Sequence, residues 1–356
     1  MRRAAFTVGV LLLTLGGFLY QIRLAGALPT MREVMPLAIG LALFAVASVA
    51  FAGGRMRFVL SRPWMHYAMA IGLLAALVVF GRRYRGGLYL PGLVNPSEFV
   101  KLFVVLFTAG YLARARNEDG RLSFRSICML VLCLGVLAAL VAVVRDFGLL
   151  AQIGITVVAM LFASSWGWGL AGATAALAAA VPVAAFPSGH LAVRMAVWRD
   201  PFSDATGAGW QTLQGLAALV SGGWLGKGMG MGEVHAVPIV SSDFIYVALA
   251  EELGFTGCAL MLALWTAVLL LALWPATTAA DAPPSMEAEA EELLSAGLVA
   301  SLACQLVLNV GGVLNALPMT GITLPLLSHG GSSLIAVLIA CGLLNANGGR
   351  RGARDR

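Results

Sequence analysis

Residues 127–144 read ICMLVLCLGVLAALVAVV and residues 148–166 read GLLAQIGITVVAMLFASSW, with Arg145, Asp146 and Phe147 between them. Neither run holds a charged side chain. Each is close to the roughly 20 residues that carry a helix across a hydrocarbon core of about 30 Å. The apolar residues are continuous and do not alternate, which excludes the strands of a membrane barrel. A segment in lipid must satisfy its own backbone, and a helix does so within itself. This stretch therefore predicts two membrane helices joined by a tight turn, and it sets the class of the whole fold.

Outward from that pair, similar runs recur at 4–22, 35–53, 64–81, 97–113, 168–186, 243–274, 293–316 and 331–347. The chain reads as an all-α integral membrane protein of about ten transmembrane helices, one polytopic domain over residues 1–356. Composition agrees. Apolar residues make up 60% and charged residues 11%, with a mean hydropathy of +0.90. A soluble domain carries about 25% charged residues, so this chain has too few to cover a water-facing surface. The five cysteines (128, 133, 258, 304 and 341) lie in or beside apolar runs without C-x-x-C spacing. They read as small buried hydrophobes. Met1-Arg2-Arg3 before an apolar run, with Ala25-Gly26-Ala27 behind it, mimics a signal peptide; the many spans that follow predict an uncleaved first helix.

The net charge of +6 does not point to nucleic acid, because the arginines gather at membrane edges, as orientation signals do. With the N-terminus inside, thirteen arginines fall on the cytoplasmic side, among them Arg2, Arg3, Arg55, Arg57 and Arg114. Six fall in outer loops: Arg23, Arg32, Arg82, Arg83, Arg85 and Arg145. The asymmetry predicts both termini in the cytoplasm. Residues 275–292, rich in Pro, Ala and Glu, read as a flexible inner linker, and residues 348–356 as a cytoplasmic tail. Residues 187–242, between the seventh and eighth spans, form a large extracytoplasmic loop. Long loops in compact proteins tend to be functional or disordered, and Trp198, Phe202, Trp210, Leu213 and Trp224 argue against disorder. Any chemistry should face outward.

Ionisable groups at membrane depth are costly and are functional candidates by default. Glu98 and Lys101 open the fourth span in Asn95-Pro96-Ser97-Glu98-Phe99-Val100-Lys101. Asn, Pro and Glu there can be a capping box, but Lys101 lies one turn in, on the same face as Glu98, so a Glu–Lys pair is expected. Asp146 can cap the following helix or serve function. Asp243, in Ser241-Ser242-Asp243-Phe244-Ile245, sits near the start of the eighth span, where the helix dipole favours its ionised form. It can act as a general base or as a cap. Glu251 and Glu252 lie two turns deeper and are expected to be paired or to reach a wet cavity. The glycines from 222 to 232 around Lys227 lack P-loop spacing. No metal-ligand spacing is present, and His66, His190, His235 and His329 are scattered.

These clusters occur in the order that marks the RodA/FtsW/SpoVE, or SEDS, family. Arg85 followed by Asn95–Lys101 resembles its Arg-Trp … Gln-Pro-Ser-Glu-Phe-x-Lys motif, with Asn95 in the Gln position. Arg145-Asp146-Phe147-Gly148 is similar to Gln-Pro-Asp-Leu-Gly. Arg194, Asp200-Pro201, Gly209-Trp210-Gln211, Ser221-Gly222-Gly223 and Gly226-Lys227-Gly228 resemble the family's outer loop, although Glu233 stands where Lys is usual. Ser242-Asp243-Phe244-Ile245 … Glu251-Glu252-Leu253-Gly254 resembles Thr-Asp-Phe-Ile … Glu-Glu-Leu-Gly; Ile239 and Ser241 replace a usual Glu and His before it. Asn309 and the stretch from Pro318-Met319-Thr320-Gly321 to Ser328-His329-Gly330-Gly331-Ser332-Ser333 resemble the signature before the last helix.

The resemblance implies a ten-helix SEDS fold and peptidoglycan glycosyl transfer from lipid II at the outer face of the bacterial cytoplasmic membrane. It implies Asp243 as the catalytic base, with Arg85, Glu98, Lys101, Asp146, Arg194, Gln211, Lys227 and Ser332 in substrate binding. It also implies a class B penicillin-binding protein (a transpeptidase) as partner, among other elongasome or divisome membrane proteins. No cofactor is required by the sequence; a divalent cation stays open. The rival readings are a flippase for lipid II and a non-catalytic scaffold for a transpeptidase.

Overall fold

The apolar runs become helices because nothing polar interrupts their backbone ladders. A computed structural model describes residues 1–356 except 27, 53–54, 85–86, 91–94, 116–122, 165–188, 234–240, 278–284 and 348–356. Its helices are α1 (Arg2–Ala25), α2 (Met31–Ala50), α3 (Arg55–Leu60), α4 (Pro63–Phe80), α5 (Ser97–Arg114), α6 (Phe124–Val144) and α7 (Phe147–Ala163). After these come α8 (Gly189–Arg199), α9 (Trp210–Gly222), α10 (Ile245–Thr277), α11 (Met286–Val313) and α12 (Gly331–Asn347). Among the described residues, α1, α2, α4, α6, α10 and α11 are each long and apolar enough to cross a membrane, and α7 and α12 are shorter apolar helices. The expected span at 168–186 lies outside the described residues.

Four details add to these expectations. The 275–292 linker is helical at both ends, because α10 runs to Thr277 and α11 starts at Met286. The acidic run suits a helix N-terminus, and Arg57 pairs with Glu287 there. The connection between α2 and α4 holds a short helix, α3, whose Leu60 carbonyl accepts from Arg114 Nη1 at 2.6 Å. The all-α reading misses a small antiparallel hairpin of β1 (Arg82–Tyr84) and β2 (Gly87–Tyr89), with Arg82 opposite Tyr89. Finally, Cys128 is exposed, while the other four cysteines are buried; all five are free.

The chain divides into two compact units. One holds residues 39–183, 272–304 and 335–356. Its centre is α5, which is buried on every face between Val104 and Ala113, as expected of a helix apolar all round. It packs on α3, α4 and α7. Phe107 of α5 lies 5.0 Å from the Tyr67 ring and 5.5 Å from that of Tyr111. Buried Gln152 of α7 donates to the Ser301 carbonyl at 3.0 Å.

The other unit holds residues 1–38, 184–271 and 305–334. In it, the described part of the expected outer loop is ordered as α8, a 3-10 turn (Pro201–Asp204), α9 and a glycine-rich loop reaching Glu233.

Candidate functional site

In the unit with α5, three of the expected residues meet. Asn95 Oδ1 accepts from the Ser97 N–H at 3.0 Å and so covers an orphan donor at the helix start. That explains why a short Asn serves here. Glu98 turns away from capping: Lys101 Nζ donates to its Oε2 at 2.6 Å, and Lys101 is only 8% exposed. Arg145 takes a left-handed φ of 63°, which ends α6 and presents Asp146 to α7. Asp146 Oδ1 then accepts from the Leu149 N–H at 2.9 Å. Burial pushes the Asp146 carboxyl up, the negative charge of Glu98 adds to that, and the Leu149 N–H, Lys101 and the Ser97 hydroxyl oppose it. Glu98, Lys101 and Asp146 thus form one charge cluster. Arg85 lies outside the described residues.

In the other unit, Asp243 is built into a frame of main-chain hydrogen bonds. Asn309 Nδ2, at the C-terminal end of α11, donates to the Asp243 carbonyl at 2.9 Å and to the Ile322 carbonyl at 2.8 Å. Ser328 Oγ donates to the Ser242 carbonyl at 2.6 Å and accepts from the Leu324 N–H at 2.7 Å. The His329 N–H donates to the Ser241 carbonyl at 2.8 Å. Gln305 Nε2 donates to the Thr323 carbonyl at 3.1 Å, and Thr323 Oγ1 lies 2.8 Å from Ser333 Oγ. The 318–333 stretch is therefore a bracket that holds the segment carrying Asp243. The carboxylate itself is half-buried and accepts from Ser242 Oγ at 2.8 Å. It faces the bracket, since a methyl group on Gly321 would lie 3.6 Å from Asp243 Oδ2. Asp243 precedes α10 by two residues, close to the expected place. Exposed Arg194 of α8 donates from Nη1 to the Thr320 carbonyl at 3.1 Å, which brings a cation onto the same bracket. Gln211, on the first turn of α9, and Ser332 are half-buried.

Lys227 lies elsewhere: its Nζ donates to Glu251 Oε1 at 2.6 Å. That hydrogen bond raises the ammonium's affinity for its proton. Glu252 is held by Arg23, whose Nη2 donates to Oε1 at 2.8 Å. Both acids are paired, as their depth requires. They border a break in α10 at Gly254, where φ is 67° and ψ −172°. Here the helix exchanges its ladder with the glycine loop. The N–H groups of Lys227 and Gly228 donate to the carbonyls of Glu251 and Glu252 at 2.9 and 3.0 Å. The N–H groups of Phe255 and Thr256 donate to the carbonyls of Gly223 and Trp224 at 2.9 and 3.1 Å. Two glycines make the approach fit. A Cβ on Gly254 would lie 2.3 Å from Gly226 N, and one on Gly226 would lie 2.1 Å from the Glu252 carbonyl oxygen.

Arg23 was not legible as a site residue; its one signal is an arginine closing an apolar span on the arginine-poor side. Gln305 gave no signal beyond being a polar residue among apolar ones, and Ser328 was marked only as part of the stretch before the last helix. Among the described residues, no group of three His, Cys, Asp or Glu side chains could hold a metal ion.

An apolar helical chain with buried charge clusters and a bracketed carboxylate defines a multi-pass membrane protein with a built polar site. The FtsW/RodA/SpoVE family, described as cell cycle proteins, matches residues 3–347, and the chain belongs to that family. It is 32% identical over 325 residues to a "Probable peptidoglycan glycosyltransferase FtsW" of Thiomicrospira cyclica, covering 88% of this chain and 80% of that one. It is 34% identical over 282 residues to the peptidoglycan glycosyltransferase RodA of Mycobacterium tuberculosis H37Rv, covering 75% of this chain but only 58% of that protein. A solved structure described as the coordination of polymerization and crosslinking by a peptidoglycan synthase complex contains a chain of the same fold, with a TM-score of 0.76, 25% identity and 97% of each chain covered. The Thermus thermophilus rod shape determining protein RodA also shares the fold, with a TM-score of 0.68, 21% identity and coverage of 97% and 96%.

Proposed function

We propose that this protein is an inverting peptidoglycan glycosyltransferase that extends glycan strands from lipid II at the outer face of the cytoplasmic membrane. The 4-hydroxyl of a GlcNAc attacks the anomeric carbon of a MurNAc, the new C–O bond forms, and the bond to the lipid diphosphate breaks. The hydroxyl proton passes to the Asp243 carboxylate, and the bonding electron pair leaves with the diphosphate. General-base help of this kind is worth about 10²–10⁴-fold in rate. The observation that carries the reading is the bracket: Asn309, Ser328 and His329 fix the main chain of Ser241, Ser242 and Asp243, which is what a positioned base requires.

Cations near the leaving diphosphate stabilise charge best where water is scarce. Lys101 and Arg194 are the proposed groups, with Arg85 as a third and Glu98 orienting Lys101. Asp146, Gln211 and Ser332 are assigned to sugar or cation contacts. Lys227, bound to Glu251, is assigned to holding the glycine loop. By analogy with the synthase complex, the polymerase acts beside a class B penicillin-binding protein in cell elongation or division, with both termini cytoplasmic.

The test is polymerisation of labelled lipid II by purified protein with its transpeptidase, wild type beside Asp243→Asn. Strands from the wild type alone support the reading. Strands from both would keep the enzyme and discard the base. Movement of lipid II across liposomes without strands would favour a flippase.

A further inference from the structure

The glycine-rich loop after α9 exposes Trp224 (74%), Leu225 (80%), Met229 (65%) and Met231 (73%). We infer that residues 223–231 are inserted into the membrane interface, where lipid acyl chains cover these four side chains. The inference rests on the chain spanning a membrane and does not depend on the polymerase reading.

Four observations carry it. The loop's one charge, Lys227, is exposed, but its Nζ is paired with Glu251 at 2.6 Å, and the other side chains the loop presents are apolar. Part of its backbone is satisfied by protein: the carbonyls of 223 and 224 and the N–H groups of 227 and 228 bond α10, and Gly230 N–H donates to Glu252 Oε1 at 3.2 Å. Irregular backbone is tolerated at membrane depth only when it is satisfied in this way. The loop also sits at the right depth. Residues 254–273 of α10 would rise about 30 Å, the thickness of the hydrocarbon core, so the break at Gly254 falls at its edge. Last, the apolar surface is continuous with a spanning helix. Trp224 packs edge-on against Phe255, with ring centroids 5.2 Å apart, and exposed Phe255 and Leu260 continue along α10. Tryptophan favours this interfacial level. Glu233, exposed just past the loop, marks the return to water.

The experiment uses the full chain in lipid nanodiscs with a Cys128→Ser background, since the other four cysteines are buried. Single spin labels are placed by Met229→Cys and Met231→Cys. Leu260→Cys, on the exposed face of α10, gives the hydrocarbon reference, and Thr206→Cys, on the exposed polar turn after Asp204, gives the aqueous one. Collision with oxygen and with a water-soluble nickel chelate reports depth. Labels at 229 and 231 should favour oxygen over nickel as at 260, reversing the ratio found at 206. A ratio like that at 206 would overturn the inference, and shielding from both quenchers would overturn it in favour of a protein cover. Equal melting temperatures for the labelled and unlabelled proteins establish that the fold is kept.

Discussion

Asp243 and the Glu251–Glu252 pair flank the start of the same helix, yet they are held in opposite ways. Asp243 is fixed through its main chain, with Asn309 on its carbonyl and the neutral Ser242 hydroxyl on its carboxylate. Glu251 and Glu252 are held through their carboxylates, each by a cation and a loop N–H: Lys227 and Glu233 for the first, Arg23 and Gly230 for the second. A carboxylate loaded with cations is stabilised as an anion and becomes a poor proton acceptor. Asp243 is instead aimed by hydrogen bonds to its own main chain and to that of its neighbours. The first arrangement suits chemistry and the second suits structure.

The contrast can be broken at four points. Asp243→Asn should lower polymerisation by about 10²–10⁴-fold, with an unchanged melting temperature; a comparable drop in melting temperature would make Asp243 structural after all. Arg23→Met leaves Glu252, whose side chain is 3% exposed, without its cation. It should destabilise the protein by about 3 kcal/mol, read as a lower unfolding midpoint, with rate lost only in proportion to unfolded protein. Asn309→Ala strips the donor from two carbonyls and should cost about 2 kcal/mol. Unlike Arg23→Met, it should also lower the turnover of the fraction that stays folded, measured after thermal correction.

The smallest effect is at Asp146. Asp146→Ala should cost about 1 kcal/mol through the lost cap, and Asp146→Asn much less. Because burial raises this carboxyl's affinity for its proton, its contribution to stability is fullest below the unfolded carboxylate range. That contribution is lost as pH climbs through the raised folded value. Asp146→Asn should flatten that slope in a pH series of melting temperatures.

The helical class was legible because apolar runs of membrane length leave few alternatives, and the Glu98–Lys101 pair because three residues on a helix share a face. The need to pair Glu251 and Glu252 followed from burial. Their partners did not, since Arg23 is 229 residues from Glu252 in the chain. The bracket around Asp243 was legible only as a recurring motif; its donors act on main-chain carbonyls, which leave no mark on side-chain patterns. The hairpin at 82–89 was missed because three-residue strands carry too short a pattern to read.

The exchanged ladder at Gly254 also ties α10 to a segment made before it. Residues 223–228 leave the ribosome before residues 251–256, so the strand that completes the helix is already made when the gap appears. The apolar half of α10 beyond Gly254 can enter the bilayer on its own hydropathy. The turns on either side of Gly254 share four main-chain hydrogen bonds with the upstream loop. Without the loop, four main-chain groups of α10 beside Gly254 would lack their partners, so this helix is completed by a segment that lies before it in the chain.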